Sequence, residues 1–300
     1  MNMFGSSAKR VQSKKIRERS FEIVILASAL VSVISVLFIT WFIFRSGLPL
    51  FSKVKLSEFL FGSRWEPVAN PPSFGIFAFI VGSFYVTGLS LLMAVPIGLA
   101  CGIYLAEFAR GSIAGFLRSV VNLLSGIPSV IYGLFGIVFV AGAVRVLFGG
   151  NGYSVLSASI ILAIMILPTI INITEVSLRA VPSELKEGSL AVGATHWQTI
   201  YKVLIPAARS GIAAGIVLGM GRAIGETMAV LLVAGNAPIM PDSPLSMTRT
   251  MTMNIITDMS YAEGDHMTSL FTTGIVLFVF ILFLNLCVQL FLRRMNNEGK

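Results

Sequence analysis

The chain has 300 residues, 55% of them hydrophobic and 12% charged, with a mean hydropathy of +0.86 and a formal net charge of +8. A water-soluble domain of that composition would have nowhere to bury its apolar surface, so the sequence reads as a polytopic membrane protein with no soluble domain left over. The positive charge does not point to nucleic acid, because its placement follows membrane topology.

Spanning about 30 Å of hydrocarbon takes roughly 20 apolar residues. Six stretches meet that length, near 21–45, 74–106, 116–148, 154–177, 209–235 and 268–292. The expected fold is all-α: a basic arm over 1–20, a six-helix membrane domain over 21–292, and a short tail over 293–300. The arm, rich in Lys and Arg, reads as a solvated or headgroup-bound tail. The apolar run from Phe21 to Phe44 is longer than the 7–15 residues of a signal peptide, and no A-x-A site follows, so it reads as a retained first helix. Residues 46–73 form an outer loop whose SRWEPVANPP run is dense in turn formers, with Trp65 as an interfacial anchor. The second span carries Gly82, Gly88, Gly98 and Gly102, which let neighbouring helices approach, and Pro96, which kinks it. Cys101 is a small hydrophobe there, as Cys287 is in the last span. In the third span, Ser125, Gly126 and Pro128 mark a break in an apolar stretch. Two readings of that break stand: a packing kink, or the lining of a polar path. The fourth span holds Pro168, Asn172 and Thr174.

A polar insert over 182–207 follows. Ser183 reads as an N-cap, with Glu184 and Glu187 near the positive end of the helix dipole. Gly193 breaks the helix. A second helix opens at Thr195, with Gln198 completing a capping box. Trp197, Ile200, Tyr201 and Leu204 make one apolar stripe, His196 faces solvent, and Pro206 ends the helix. The fifth span carries two charges, Arg222 and Glu226, four residues apart and so on one face of a helix. An unpaired arginine at mid-bilayer costs about 3 kcal/mol, so such residues pair or face a polar cavity. Here too two readings stand: a self-neutralising pair fastening helices, or a guanidinium that receives an oxyanion while the glutamate holds it. Residues 236–267 form a second outer loop with a short surface helix near 246–260. Arg293 and Arg294 close the last span.

With the N-terminus in the cytoplasm, fifteen Lys and Arg fall on the inner side and six on the outer, leaving Arg222 within a span. That is the positive-inside bias. It places both termini and the 182–207 insert in the cytoplasm. No G-x-x-x-x-G-K-[ST] motif is present, so this chain carries no Walker A cradle for ATP phosphates. Neither histidine lies in a span, and no metal spacing, disulfide framework or cofactor motif appears. A membrane-embedded enzyme is disfavoured, since the spans hold no paired carboxylates, His cluster or nucleophile with a base.

The spacing Glu187-Gly188-Ser189, three residues, Gly193, nine residues, Val203-x-Ile205-Pro206 resembles the EAA loop of ABC transporter membrane subunits, E-A-A-x3-G-x9-I-x-L-P. Gly188 and Ser189 replace the two alanines, exchanges of small for small that preserve close backbone approach. The block RAIGETMAV from Arg222 is similar to that of phosphate-specific ABC permeases. RERSFE in the arm and SRWEPV…FGI before the second span point to the PstC-type subunit. The resemblance implies the MetI-like permease fold in a bacterial cytoplasmic membrane, and import of inorganic phosphate by alternating access. Its implied partners are a PstA-type permease, an ATPase dimer and an extracytoplasmic phosphate-binding protein, with membrane lipid around them. It also implies that Glu187, Gly188, Ser189, Gly193 and Pro206 belong to the loop that docks on the ATPase, and that Arg222 and Glu226 are the charged pair used in transport. A permease for molybdate or sulfate shares the loop; a secondary transporter or channel would work without an ATPase.

Overall fold

The computed structural model describes the backbone of residues 4–297, and the side chains of Arg19 and of 21–290 except Val288. The basic side chains of the arm from Lys9 to Arg17, and Arg293, Arg294 and Lys300, lie outside the described residues. Among the described residues, six helical stretches are long and apolar enough to cross a membrane, as expected.

Helix α1 (Phe4–Gly47) runs through the arm into the first span without a break. The helix runs on through the arm–span boundary near residue 20, since no proline or glycine interrupts the sequence between Gly5 and Gly47, and the apolar span begins at Phe21. The apolar stretch of α1 is unburied within this chain, a surface that only lipid or a neighbouring protein can cover. The helix meets the rest of the molecule near Gly47, where a Cβ would lie 2.9 Å from the backbone of Phe271.

A 3-10 turn (Leu48–Ser52), α2 (Leu56–Phe61) and the antiparallel pair β1 (Trp65–Glu66) and β2 (Ser73–Phe74) build the first loop, with Trp65 opposite Phe74. Trp65 is buried, not interfacial: its ring packs on Phe74 and Phe79, and its Nε1 has a partner inside the fold.

Helix α3 (Phe77–Glu107) includes Pro96 and packs along the later helix α7 (Val155–Arg179). Gly98 and Gly102 set that contact: a Cβ at either would stand 2.7 Å from Ile170 or Thr174. Next come α4 (Gly111–Gly126), α5 (Ser129–Phe135), a π-helical turn (Gly136–Ala141) and α6 (Gly142–Phe148). The third span is therefore shorter than expected, Ser129–Phe148. Pro128 has no N–H to continue α4 and forces Ile127 into extended backbone (φ −73°, ψ 128°), leaving α4 as a separate helix. Helix α7, N-capped by Ser154, is the most enclosed span and forms the core with residues of α3 and α5 and with Ala223, Ala229, Val230 and Val233.

The insert folds as α8 (Ser183–Ala191) and α9 (His196–Thr199), followed by a π-helical turn (Ile200–Leu204) and α10 (Ile205–Gly225). Ser183 opens α8 rather than capping it, and Pro182 takes the cap position. The Thr195–Gln198 capping box is present. Pro206 does not end the second helix as expected. It sits in the first turn of α10, where its missing N–H costs little after a π turn, and the chain runs on as one span from His196 to Gly225. The fifth span also differs from expectation at its far end. Glu226 is extended (φ −72°, ψ 131°), and α11 (Met228–Val233) is a separate helix. Helix α12 (Met251–Asp258) follows, buried along Met251–Asn254 instead of lying on the surface. Helix α13 (Gly264–Asn297) completes the chain. The α8–α9 loop and the two long loops 46–73 and 236–267 stand at opposite ends of the bundle, joined by α3.

Candidate functional site: a loop end and a broken-helix path

At the loop end, Gly193 terminates α8 with φ +87°, a left-handed conformation natural to glycine. Its N–H donates to the Leu190 carbonyl at 3.0 Å, and Ala194 N–H donates to the Ser189 carbonyl at 3.2 Å. Glu187 is exposed and Gly188 has open space where a Cβ would point, so no close approach to Gly188 comes from the described residues. Ser189 Oγ lies 3.0 Å from Thr199 Oγ1, which bridges α8 to α9.

The expected apolar stripe of the second helix divides into two faces. Ile200 and Leu204 are buried against Leu178, Ala208 and Ile212. Trp197 is 64% and Tyr201 67% exposed, alongside the exposed Leu190 and Val192 of the α8 end. The wider π turn adds to the division by rotating Tyr201 away from Leu204. His196 is not simply solvated: its Nε2 lies 3.2 Å from Glu107 Oε2 and its ring packs edge-on against Phe108.

Beside the loop, the buried Glu175 carboxylate accepts from Arg118 Nε at 2.8 Å and Arg179 Nε at 2.9 Å. Arg179 Nη2 also donates to the Leu105 carbonyl at 2.8 Å, tying α7 and α4 to the end of α3.

The break and the charged pair lie deeper. Ser125 Oγ donates back to the Asn122 carbonyl at 2.7 Å, Gly126 is open to its surroundings, and Pro128 caps α5. Tyr132 Oη donates to the Leu124 carbonyl at 2.7 Å, an acceptor that the Ile127 N–H reaches only at 3.4 Å, and so ties α5 to the end of α4. Tyr132 packs in the same buried cluster as Ala223, the chain neighbour of Arg222, so the break and the guanidinium share one region.

The geometry of the Arg222–Glu226 pair differs from expectation. The helix ends at Gly225, so Glu226 does not continue the face of Arg222, and among the described residues no ion pair joins the two. Glu226 Oε1 accepts from the Ala229 N–H at 3.1 Å, at the start of α11. Its backbone carbonyl accepts from Thr252 Oγ1 at 3.1 Å. Arg222 remains half-buried at the end of α10.

Sequence reading missed Glu107, Tyr132, Glu175 and Asp258. A tyrosine in an apolar span signals a hydroxyl that needs a partner, and an acid at a span end signals a cation near it. No cluster of three or more His, Cys, Asp or Glu suited to a metal occurs among the described residues.

Residues 98–297 match the family model of the binding-protein-dependent transport system inner membrane component. The chain is 40% identical over 274 residues to the probable ABC transporter permease protein YqgH of Bacillus subtilis, covering 89% of this chain and 88% of that protein. It is 36% identical over 252 residues to the phosphate transport system permease protein PstC of Mesorhizobium japonicum, covering 77% and 76%. Among solved structures, a bacterial alginate ABC transporter bound to its alginate-loaded periplasmic protein superposes with a TM-score of 0.65. It is 16% identical, covering 91% of this chain and 94% of the other. The MetNI methionine ABC transporter gives 0.59 at 20% identity, covering 73% and 97%. At those identities the likeness shows the fold: the MetI-like arrangement of ABC importer permeases.

Proposed function

We propose that this chain, which belongs to the family of binding-protein-dependent transport system inner membrane components and is an ABC importer permease subunit, carries inorganic phosphate. Its six spans make it a multi-pass inner-membrane protein. The observation that carries the solute assignment is Arg222, half-buried at the end of α10 with no carboxylate bound to it among the described residues. A guanidinium freed from its expected partner can offer paired N–H donors to a tetrahedral oxyanion. Glu226 holds the start of α11 instead, so it shapes the break beside Arg222 and leaves that charge uncompensated.

The driving force comes from a separate ATPase dimer on the cytoplasmic side, where both termini also lie. Its docking surface is the exposed face of Leu190, Val192, Trp197 and Tyr201, with Glu187 at the edge. A PstA-type permease completes the path opposite Arg222, and an extracytoplasmic phosphate-binding protein delivers solute to the end carrying loops 46–73 and 236–267. ATP-driven closure of the ATPases moves α8 and α9, and α7 and α10 carry that motion to the break at Ser125, Gly126 and Pro128. One arginine suits transient contact, since a deeper anion trap would slow release.

The test is phosphate uptake by Arg222→Gln in cells lacking the native chain, with co-purification of the ATPase as the control for assembly. Uptake lost with assembly retained is the expected result; normal uptake removes Arg222 from the mechanism. Competition by molybdate and sulfate against labelled phosphate distinguishes phosphate from other oxyanions, which a guanidinium binds through the same geometry.

A further inference from the structure

We propose that Glu107 is the positioning residue that fixes the tilt of the α8–α9 loop, a role that rests on the reading of this loop as the site of ATPase coupling. Glu107 is the last residue of α3, and its side chain is only 8% exposed. One oxygen, Oε2, accepts from Lys186 Nζ of α8 at 2.5 Å and lies 3.2 Å from Nε2 of His196, the first residue of α9. Phe108 adds an edge-on ring contact to His196 with centroids 5.1 Å apart. A single carboxylate oxygen thus holds both helices of the loop.

The chain itself attaches the loop at two places, to α7 through residues 180–182 and to α10 through the π turn. A body held at two points still turns about the line joining them. Glu107 supplies a third, polar point from α3, a helix continuous in the chain with neither link, whose Leu99, Ile103 and Ala106 join the apolar cluster of Ile200 and Leu204. The Ser189–Thr199 hydroxyl contact makes α8 and α9 one body, so a restraint on either acts on both. With three points fixed, a push on Trp197 and Tyr201 becomes displacement of α3, α7 and α10 rather than rotation of the loop in place. Without the third, part of that push is absorbed as tilt.

The carboxylate is the part of Glu107 that does this, and the test isolates it. Glu107→Gln keeps the shape and removes the charge; Lys186→Gln removes the partner from a more exposed position. Each variant is measured in the assembled transporter for ATPase co-purification, ATP hydrolysis and labelled phosphate uptake. Losing one charged hydrogen bond predicts about a tenfold drop in phosphate moved per ATP, with the ATPase still bound. Exchanging the pair, Glu107→Lys with Lys186→Glu, restores most of that ratio. A solute-independent measurement accompanies these. Spin labels at Tyr104→Cys and at Glu184→Cys of α8, in a background with Cys101 and Cys287 replaced by alanine, give a narrow distance distribution that broadens in Glu107→Gln.

Unchanged coupling and an unchanged distance distribution in both Gln variants overturn the role of Glu107. So does a loss of uptake that only tracks a loss of assembled protein, with no recovery in the exchanged pair. If the unmodified chain moves no phosphate, the solute assignment fails. The label distances still decide the tilt restraint.

Discussion

The indole Nε1 of Trp65 donates to Asp258 Oδ2 at 2.8 Å, joining the two long loops across 193 positions of sequence. Asp258 is 2% exposed, and its other oxygen accepts from Arg249 Nη1 at 3.2 Å and Tyr261 Oη at 2.7 Å. His266 Nε2 lies 3.2 Å from Oδ2. The carboxylate therefore serves as the common acceptor that holds this end of the bundle together. Replacing it with alanine strands Arg249 as a buried charge, and removing one partner of a buried pair costs about 3–5 kcal/mol. Asp258→Ala should unfold at markedly lower temperature in detergent, and Asp258→Asn should fall between it and the parent. A melting curve for Asp258→Ala that overlays the parent's would mean that the cluster contributes little.

The same cluster gives a pH dependence at the alkaline side. Burial pushes the Tyr261 phenol above its ordinary value of 10.0, and the hydrogen bond to Asp258 adds to the rise. A group whose folded pKa is raised contributes stability in full below its unfolded pKa and loses it as pH rises through the folded one. The contribution of Tyr261 should therefore be intact at neutral pH and fade only above about pH 10. In a stability titration, Tyr261→Phe should remove that alkaline decline. A decline of equal size in the variant would place its origin elsewhere.

Glycines of α3 that look alike in sequence differ sharply in surroundings. A Cβ at Gly102 would lie 2.7 Å from Thr174 Cβ and Cγ2, whereas at Gly88 nothing stands within 4 Å. Gly102→Ala must push α3 off α7, at a cost of about 1–3 kcal/mol for an overpacked contact. Gly88→Ala should leave stability unchanged or slightly raised. Thermal melts of the two variants side by side check the contrast, and equal shifts would contradict it.

Much of this molecule was legible because bilayer thickness fixes span length and hydropathy marks it. The insert was legible because capping and helix breaking are local: Thr195 with Gln198, and Gly193, behave as their neighbours dictate. The break after Arg222 was not. No proline lies between Arg222 and Val230, so periodicity runs straight through. What holds Glu226 out of the helix includes Thr252, 26 residues later. Lys186 lies 79 positions from Glu107, and Arg118 lies 57 from Glu175; only folding brings such charges together. Trp65 was misread for a related reason, since an aromatic beside a span suits an interface or a core equally well until its partner is known.

On the proposed reading, the divided stripe of the second loop helix separates docking from folding. Trp197 is largely exposed and Ile200 fully buried, three residues apart. Trp197→Ala should leave the melting temperature unaltered yet reduce ATPase capture. An aromatic anchor at an interface is worth 2 kcal/mol or more, roughly thirtyfold in affinity. Ile200→Ala removes a buried side chain, at about 2–5 kcal/mol of stability. Pull-down of the ATPase together with melting curves tests both. If Trp197→Ala binds the ATPase at parental affinity, the exposed face is not the docking surface.

Gly193 gives the last prediction, and it concerns backbone rather than space. With open surroundings, a Cβ there clashes with none of the described residues, but φ +87° is strained for any residue with a Cβ. Gly193→Ala should loosen the end of α8 by about 1–2 kcal/mol. Asparagine tolerates the left-handed region better than other residues, so Gly193→Asn should be milder than Gly193→Ala. Gly193→Val, β-branched, should be the worst of the three. Because the turn sets the angle between α8 and α9, phosphate uptake should fall in the order Asn, Ala, Val while total protein in the membrane stays level. An order that instead followed side-chain volume, with asparagine more harmful than alanine, would point to a partner pressed against this turn. The backbone explanation would then fall.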